Sequence, residues 1–132
     1  METRIEHAGP DDVETVLHLL EQHRLPLDGL HEHLATILVA RQSGRIVGSA
    51  ALELYPDGAP LRSVAVAKPW QGHGLGHELT DAAIRLAQER HVPAIYLLTT
   101  TAERYFPRFG FERIARAQVP TKVQTSVEFT SA

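Results

Sequence analysis

The stretch VAVAKPWQGHGLGHEL, residues 64–79, puts three glycines into five positions between an apolar run and an apolar-periodic segment. A turn uses one or two glycines. Three, at Gly72, Gly74 and Gly76, point to a backbone that something approaches closely. Val64 to Ala67 belongs to a strand that Pro69 ends. Leu75, Leu79, Ala82, Ala83 and Leu86 then mark one face of a helix ending near Arg90. A glycine loop opening a helix presents free N–H groups at the positive end of the helix dipole, which favours an anion such as phosphate. The nucleotide P-loop needs GxxxxGK[ST], and this loop has neither the Lys nor the Ser/Thr. The dinucleotide fingerprint needs G-x-G-x-x-G and an acidic residue about 20 positions on. Here the spacing is G-x-G-x-G, and residues 92–100 hold no Asp or Glu. A third pattern, Q/R-x-x-G-x-G/A, is met by Gln71, Gly74 and Gly76. An ordinary strand-to-helix turn that binds nothing stands beside it.

Outward from the loop, the chain alternates strand and helix signals. Residues 3–8 read as an opening strand, closed by Gly9-Pro10. Pro10 suits a first helical turn, with Asp11 and Asp12 near the positive end of the dipole. Val13, Val16, Leu17 and Leu20 continue as an amphipathic helix to about Gln22. Asp28 is placed to cap a short helix over 29–34. Residues 35–55 read as two strands joined at Ser43-Gly44. Residues 55–60 are dense in turn residues, and 61–67 form a third strand of the meander. After the loop and its helix, 94–100 is a continuous apolar strand of the kind buried on both faces. A short helix over 102–109 ends at Gly110, and 111–117 reads as another strand. In the tail, Val123, Val127 and Phe129 fit a helix or a strand. The order β α α β β β α β α β defines one α/β domain over residues 1–132 with an antiparallel first half and helical crossovers later.

Bulk properties narrow the function classes. With 132 residues, 43% hydrophobic and 22% charged, the chain can bury a core without staples. A formal charge of −3 gives no basic excess for nucleic acid. There is no cysteine, hence no disulfide scaffold, thiol nucleophile or Cys-based zinc site. No apolar run approaches ~18 residues, and METRIEHAGP carries charges where a leader needs an apolar stretch, so no membrane partner is expected and a cytoplasmic location is the default. Eight histidines raise a metal reading. His73 and His77 are four apart without a carboxylate-plus-His set, and His31 and His33 fall on different sides of a helix, so no metal is expected.

SVAVAKPWQGHGLG resembles the strand-four and pyrophosphate-loop signature of the GCN5-related N-acetyltransferases, and ERYFPRFGFE resembles that family's following helix with its Gly110-Phe111 exit. The resemblance covers nearly the whole chain. Within the family, YLLTTTAERYFPRFGF is similar to the acetyltransferase domain of N-acetylglutamate synthases. It is closer still to short bacterial arsenic-resistance N-acetyltransferases, whose relatives acetylate the glutamate analogue arsinothricin. The resemblance implies a mixed sheet with splayed central parallel strands and helices on both faces. It also implies a last strand that the 132 residues do not reach, either absent from this chain or supplied by a second copy in a homodimer.

What the resemblance implies for chemistry is acetyl transfer from acetyl-CoA to a small amine, favouring glutamate or an analogue. The main chain of Val64, Ala65 and Val66 would hold the pantetheine arm, and an N–H near Val66 would stabilise the oxyanion. Gln71, Gly72, His73, Gly74, Leu75, Gly76 and His77 would hold the pyrophosphate, with Arg108 in reach of a phosphate. Glu53 is the candidate base, directly or through water, against a solvent-facing strand residue. Arg62 is placed to bind a substrate carboxylate, against a surface ion pair. Thr99 and Thr100, with Tyr105, would line the amine pocket, although the threonines also suit a helix cap. The family's general-acid tyrosine falls at Phe106, which cannot donate a proton; Tyr105 is one residue, about 100°, round the helix. Another small amine or a protein terminus as substrate, and a non-catalytic acyl-CoA-binding module, are the rival readings.

Overall fold

The computed structural model describes residues 3–25, 27–97, 105–112, 114 and 116–124, the side chains of His31 and Arg116 excepted. Strand β1 (Arg4–His7) leads through a 3-10 turn at Pro10–Asp12 into helix α1 (Val13–Gln22). The Asp12 carboxylate accepts the Gly9 N–H at 2.7 Å and so caps that turn. A second 3-10 segment, Leu30–Thr36, precedes β2 (Ile37–Gln42) and β3 (Arg45–Leu52). These two form a hairpin whose turn residues Ser43 and Gly44 both have positive φ, 52° and 81°. That geometry matches the twist of the flanking strands. β4 (Ala59–Val66) follows, then α2 (Leu75–Glu89), the short β5 (Ile95–Tyr96), a 3-10 turn at Phe106–Phe109, another at Arg116–Gln118, and α3 (Thr121–Gln124).

The sheet order is β1-β2-β3-β4-β5. β1 to β4 pair antiparallel and β4 pairs parallel with β5, as the alternation in the first half and the α2 crossover require. Helices cover both faces. Leu38, Ala40, Ala50, Leu52, Ala59 and Leu61 pack on Leu75, Leu79, Ala83 and Leu86 of α2. On the other face Ile37, Val39, Ala51 and Ala65 pack on Val13, Val16, Leu19 and Leu20 of α1. Neighbouring residues of β2 thus serve opposite cores, the two-residue period of a doubly covered strand. Among the described residues no helix is long and apolar enough to cross a membrane.

Several local readings change. Asp28 does not cap the 3-10 segment. Gly29, with φ 78°, takes the N-cap position, and the Asp28 carbonyl accepts Arg62 Nη1 at 2.6 Å instead. Ala94 to Leu97 are half-buried rather than buried on both faces, because β5 stands at the edge of the described sheet with β4 as its neighbour. The strand expected over 111–117 is irregular where described, and Arg116–Gln118 is a 3-10 turn. Alternation sets which face a strand shows but supplies no pairing partner, and Ile114 is left 45% exposed. Gly110 does end the Phe106–Phe109 turn, at φ 93°. Of the tail, Val123 lies in α3 and is buried, while Val127 and Phe129 lie outside the described residues.

Candidate active site

The centre of the site is the end of β4 and the loop that leaves it. β4 carries one residue more than β3: Ala51 faces Arg62 while Ser49 faces Ala65. The surplus residue sits at Ser63, whose φ is +60°. A bulge of this kind bends the strand and exchanges its faces. Without it Arg62, Val64 and Val66 would share a face. With it, Leu61, Val64 and Val66 pack toward α2, whereas Ala65 packs toward α1 and Arg62 reaches the Leu30–Thr36 side at Asp28. The Ser49 hydroxyl donates to the Ser63 carbonyl at 2.7 Å and secures the unusual backbone. On the other edge of β4, pairing with β5 covers Ala59↔Ile95 and Pro60↔Tyr96 and goes no further among the described residues.

The loop from Gln71 to His77 is tied back to the end of β4. Gln71 Nε2 donates to the Val66 carbonyl at 2.9 Å. Gly72 and Gly74 have φ of 84° and 81°, a region that favours glycine, and a Cβ on either would meet nothing within 4 Å. Gly74 is the N-cap of α2 and offers no side chain to its first turn. The first helical bond runs from Glu78 N–H to the Gly74 carbonyl at 3.1 Å, so the N–H groups of Leu75, Gly76 and His77 precede any helical acceptor. Gly76 is different from its neighbours. It is helical, and an added Cβ would sit 3.8 Å from Tyr105 Oη and from Val66 Cγ2, ordinary contact distances. Neither backbone conformation nor internal packing asks for glycine there. The bare backbone at the start of α2 fits an anionic group such as the diphosphate of coenzyme A. Buried Thr80 donates to the Gly76 carbonyl at 2.8 Å and steadies this turn.

Over the first turn of α2 lie aromatic rings. His77 stacks on Phe109 with centroids 4.6 Å apart, and the Arg108 guanidinium lies 4.4 Å from the Tyr105 ring centroid. His73 and Arg108 are exposed, and Leu75 is buried beneath the loop. Phe106 packs against the α2-side core. Burial pushes the Tyr105 hydroxyl up from its ordinary value of 10.0, and the Arg108 charge opposes that rise. Thr99 and Thr100 lie outside the described residues.

Glu53 and Arg62 occupy the opposite, α1-side face and are buried, at 2% exposure each. Glu53 is neither solvent-facing nor isolated, and the ion pair it makes with Arg62 is not a surface one. Arg62 Nη1 donates to Glu53 Oε2 at 3.3 Å, and its Nε to Ser63 Oγ at 3.2 Å. Tyr55 Oη donates to Glu53 Oε1 at 2.8 Å. His33 Nε2 lies 3.4 Å from the same oxygen, with its side chain 18% exposed. Tyr55 shares the face of Glu53 two residues on, a signal present in LELY. His33 comes from another element, and no local pattern announces it. Among the described residues no group of three or more His, Asp or Glu forms a metal set.

A mixed sheet whose β4 leads through a glycine loop into an uncapped helix defines an α/β domain with room for an anion at the start of α2. Residues 4–111 match the Acetyltransferase (GNAT) family, and the chain belongs to it. It is 35% identical over 81 residues to an amino-acid acetyltransferase of Mycobacterium tuberculosis, covering 61% of this chain and 46% of that protein. With the amino-acid acetyltransferase of Vibrio atlanticus it shares 26% over 130 residues, 92% of this chain and 29% of the relative. The chain thus spans less than half the length of either. A Mycobacterium tuberculosis protein solved in complex with CoA superposes with a TM-score of 0.79 at 27% identity, over 91% of this chain and 78% of that one. N-acetylglutamate synthase from Neisseria gonorrhoeae, solved with coenzyme A and N-acetyl-glutamate, gives 0.82 at 22% identity over 92% and 31%, a likeness of fold.

Proposed function

We propose that the chain transfers the acetyl group of acetyl-CoA to the amino group of a small amino acid-like substrate. The observation that carries this is Gly76, a helical glycine that its own protein does not require, set at an open helix start just beyond the end of β4. Gln71 to His77 would take the pyrophosphate on main-chain N–H groups, with Arg108 beside them. Val64, Ala65 and Val66 would align the pantetheine arm and thioester, and the Val66 N–H would meet the charge that develops on the thioester oxygen. Holding both substrates in one cleft converts a bimolecular encounter into an intramolecular step. On the amine side, Glu53 would draw the proton from the ammonium, directly or through an intermediary, and the Arg62 charge beside it suits a substrate that carries a carboxylate. Tyr105 would line the amine pocket, and the family resemblance adds Thr99 and Thr100 to it.

Glutamate or a glutamate analogue such as arsinothricin is the favoured amine. Support comes from the amino-acid acetyltransferases among the relatives and from the buried arginine. The test is release of free thiol from acetyl-CoA across a panel of amines: glutamate, arsinothricin, other amino acids, polyamines and peptide termini. Turnover of carboxylate-bearing amines in preference to polyamines supports the reading. Turnover of polyamines or peptide termini alone removes the amino-acid assignment, and tight cofactor binding with no turnover on any amine makes the chain an acyl-CoA-binding module.

A further inference from the structure

We infer that His33, and not Glu53 itself, takes the proton from the incoming ammonium, with Glu53 acting as its positioning residue; this rests on the transferase reading above. Glu53 is poorly placed to be the immediate base. Both of its oxygens already have partners, Arg62 Nη1 on Oε2 at 3.3 Å and Tyr55 Oη on Oε1 at 2.8 Å, and 2% of the residue is exposed. The His33 side chain is far more accessible, 18% against 2%, and its Nε2 stands 3.4 Å from Glu53 Oε1. A carboxylate facing one ring nitrogen fixes the imidazole's orientation and leaves the other nitrogen to accept a proton, the base-plus-orienter arrangement that nucleophilic enzymes use.

The backbone is shaped to the same end. The 3-10 segment Leu30–Thr36 breaks its helical geometry at His33, with φ −119° and ψ 26°. The Thr36 hydroxyl, shared between the Leu52 carbonyl at 2.5 Å and the His33 carbonyl at 3.1 Å, ties the kinked segment to β3. The Tyr55 ring lies 6.3 Å from the imidazole, centroid to centroid, and walls one side. Among the described residues the charged and titratable groups facing His33 are therefore Glu53 at the end of β3 and Tyr55 in the β3–β4 turn, with Arg62 of β4 behind Glu53. Glu32 beside it on its own segment is exposed.

The ammonium gives one proton to His33 Nδ1, which forms imidazolium against the Glu53 carboxylate. The freed nitrogen lone pair forms the C–N bond as the C–S bond breaks, and the departing thiolate takes the second proton from the acylated nitrogen. Imidazolium returns its proton to water.

The experiment measures kcat/KM against pH for wild type, His33→Gln and Glu53→Gln, with the best amine of the panel and acetyl-CoA. The expected result for His33→Gln at neutral pH is a loss of about 10²-fold or more, the usual range for a general base. The KM for acetyl-CoA should hold, and the deficit should shrink as alkaline pH supplies free amine. His33→Ala should recover turnover when imidazole is added, which a merely structural role would not allow. Glu53→Gln should lose part of the activity, less than His33→Gln loses, as expected of a positioning residue. A loss under about threefold in a folded His33→Gln, or a loss independent of pH with no imidazole rescue, overturns the assignment while leaving the transferase reading intact. A wild type that binds acetyl-CoA and acetylates no amine overturns both.

Discussion

At the scale of single residues, the buried pair Glu53–Arg62 separates stability from catalysis. With the side chains 2% and 1% exposed, removing one charge takes an opposite charge from the other in a poorly solvated place, which costs about 3–5 kcal/mol. Arg62→Ala should therefore lower the unfolding free energy in urea by that amount, and should raise KM for carboxylate-bearing amines far more than for acetyl-CoA. A stability change under about 1 kcal/mol would mean that the buried pair contributes no more than a solvated one. Tyr105 is a second case. Its hydroxyl lies beside Gly76 over the α2 turn, and Phe106, where the resemblance puts the family's acid, is half-buried against the core. A thiolate leaves readily because thiols ionise near ~8.5. Tyr105→Phe should then lower kcat by less than tenfold; a loss above a hundredfold, with disappearance of a basic limb from the pH profile, would make Tyr105 the acid. Glu53 and Arg62 stand out in the sequence by lying on or beside the strands that the family resemblance assigns to the site. Their burial was not legible there, since it depends on the Leu30–Thr36 segment lying over that face.

At the scale of elements, β4 is set by contacts that a linear pattern does not carry. The strand itself, the hairpin at Ser43-Gly44 and the extent of α2 follow from alternation, turn residues and helical spacing. The bulge at Ser63 does not, because any of residues 61–66 could be the surplus one until β3 is laid beside them, and the bulge decides that Arg62 and Val64 face opposite cores. Gly48 on β3 shows the tightness of the result. A Cβ there would lie 2.8 Å from Leu79 Cδ1 and 3.1 Å from the Ala65 carbonyl. An alanine in a strand ordinarily gains about 0.5–1 kcal/mol over glycine, but overpacking costs about 1–3 kcal/mol. Gly48→Ala should accordingly destabilise the fold in urea titrations and loosen α2 against β4. A variant as stable as wild type would mean that the helix seats less closely than these distances require.

For the whole molecule, two cores on one sheet and a helical crossover after a meander were readable from order and periodicity, whereas the segment over 111–117 was not, because its alternation lacked a partner among the described strands. Long-range charge also ties the first residues to the hairpin. Arg41 hydrogen-bonds both Glu6 and Asp12. The Arg41 bond, followed by the Gly9 N–H, holds the Asp12 carboxyl below its ordinary 3.8, with burial opposing. A depressed carboxylate stabilises the fold above its unfolded value, and the contribution disappears as pH falls through the folded one. Asp12→Asn should therefore flatten the fall of unfolding free energy with pH below 3.8; parallel wild-type and variant curves would contradict the linkage. The central claim, a diphosphate seated on the bare start of α2, is tested most directly by calorimetric titration of acetyl-CoA into wild type and Gly76→Asp. An aspartate in the first turn suits the helix dipole, worth about 0.3–1 kcal/mol, and its Cβ has room, so the melting temperature should hold or rise. Affinity for acetyl-CoA should meanwhile fall at least tenfold, about 1.4 kcal/mol. Unchanged affinity in the folded variant would contradict the account.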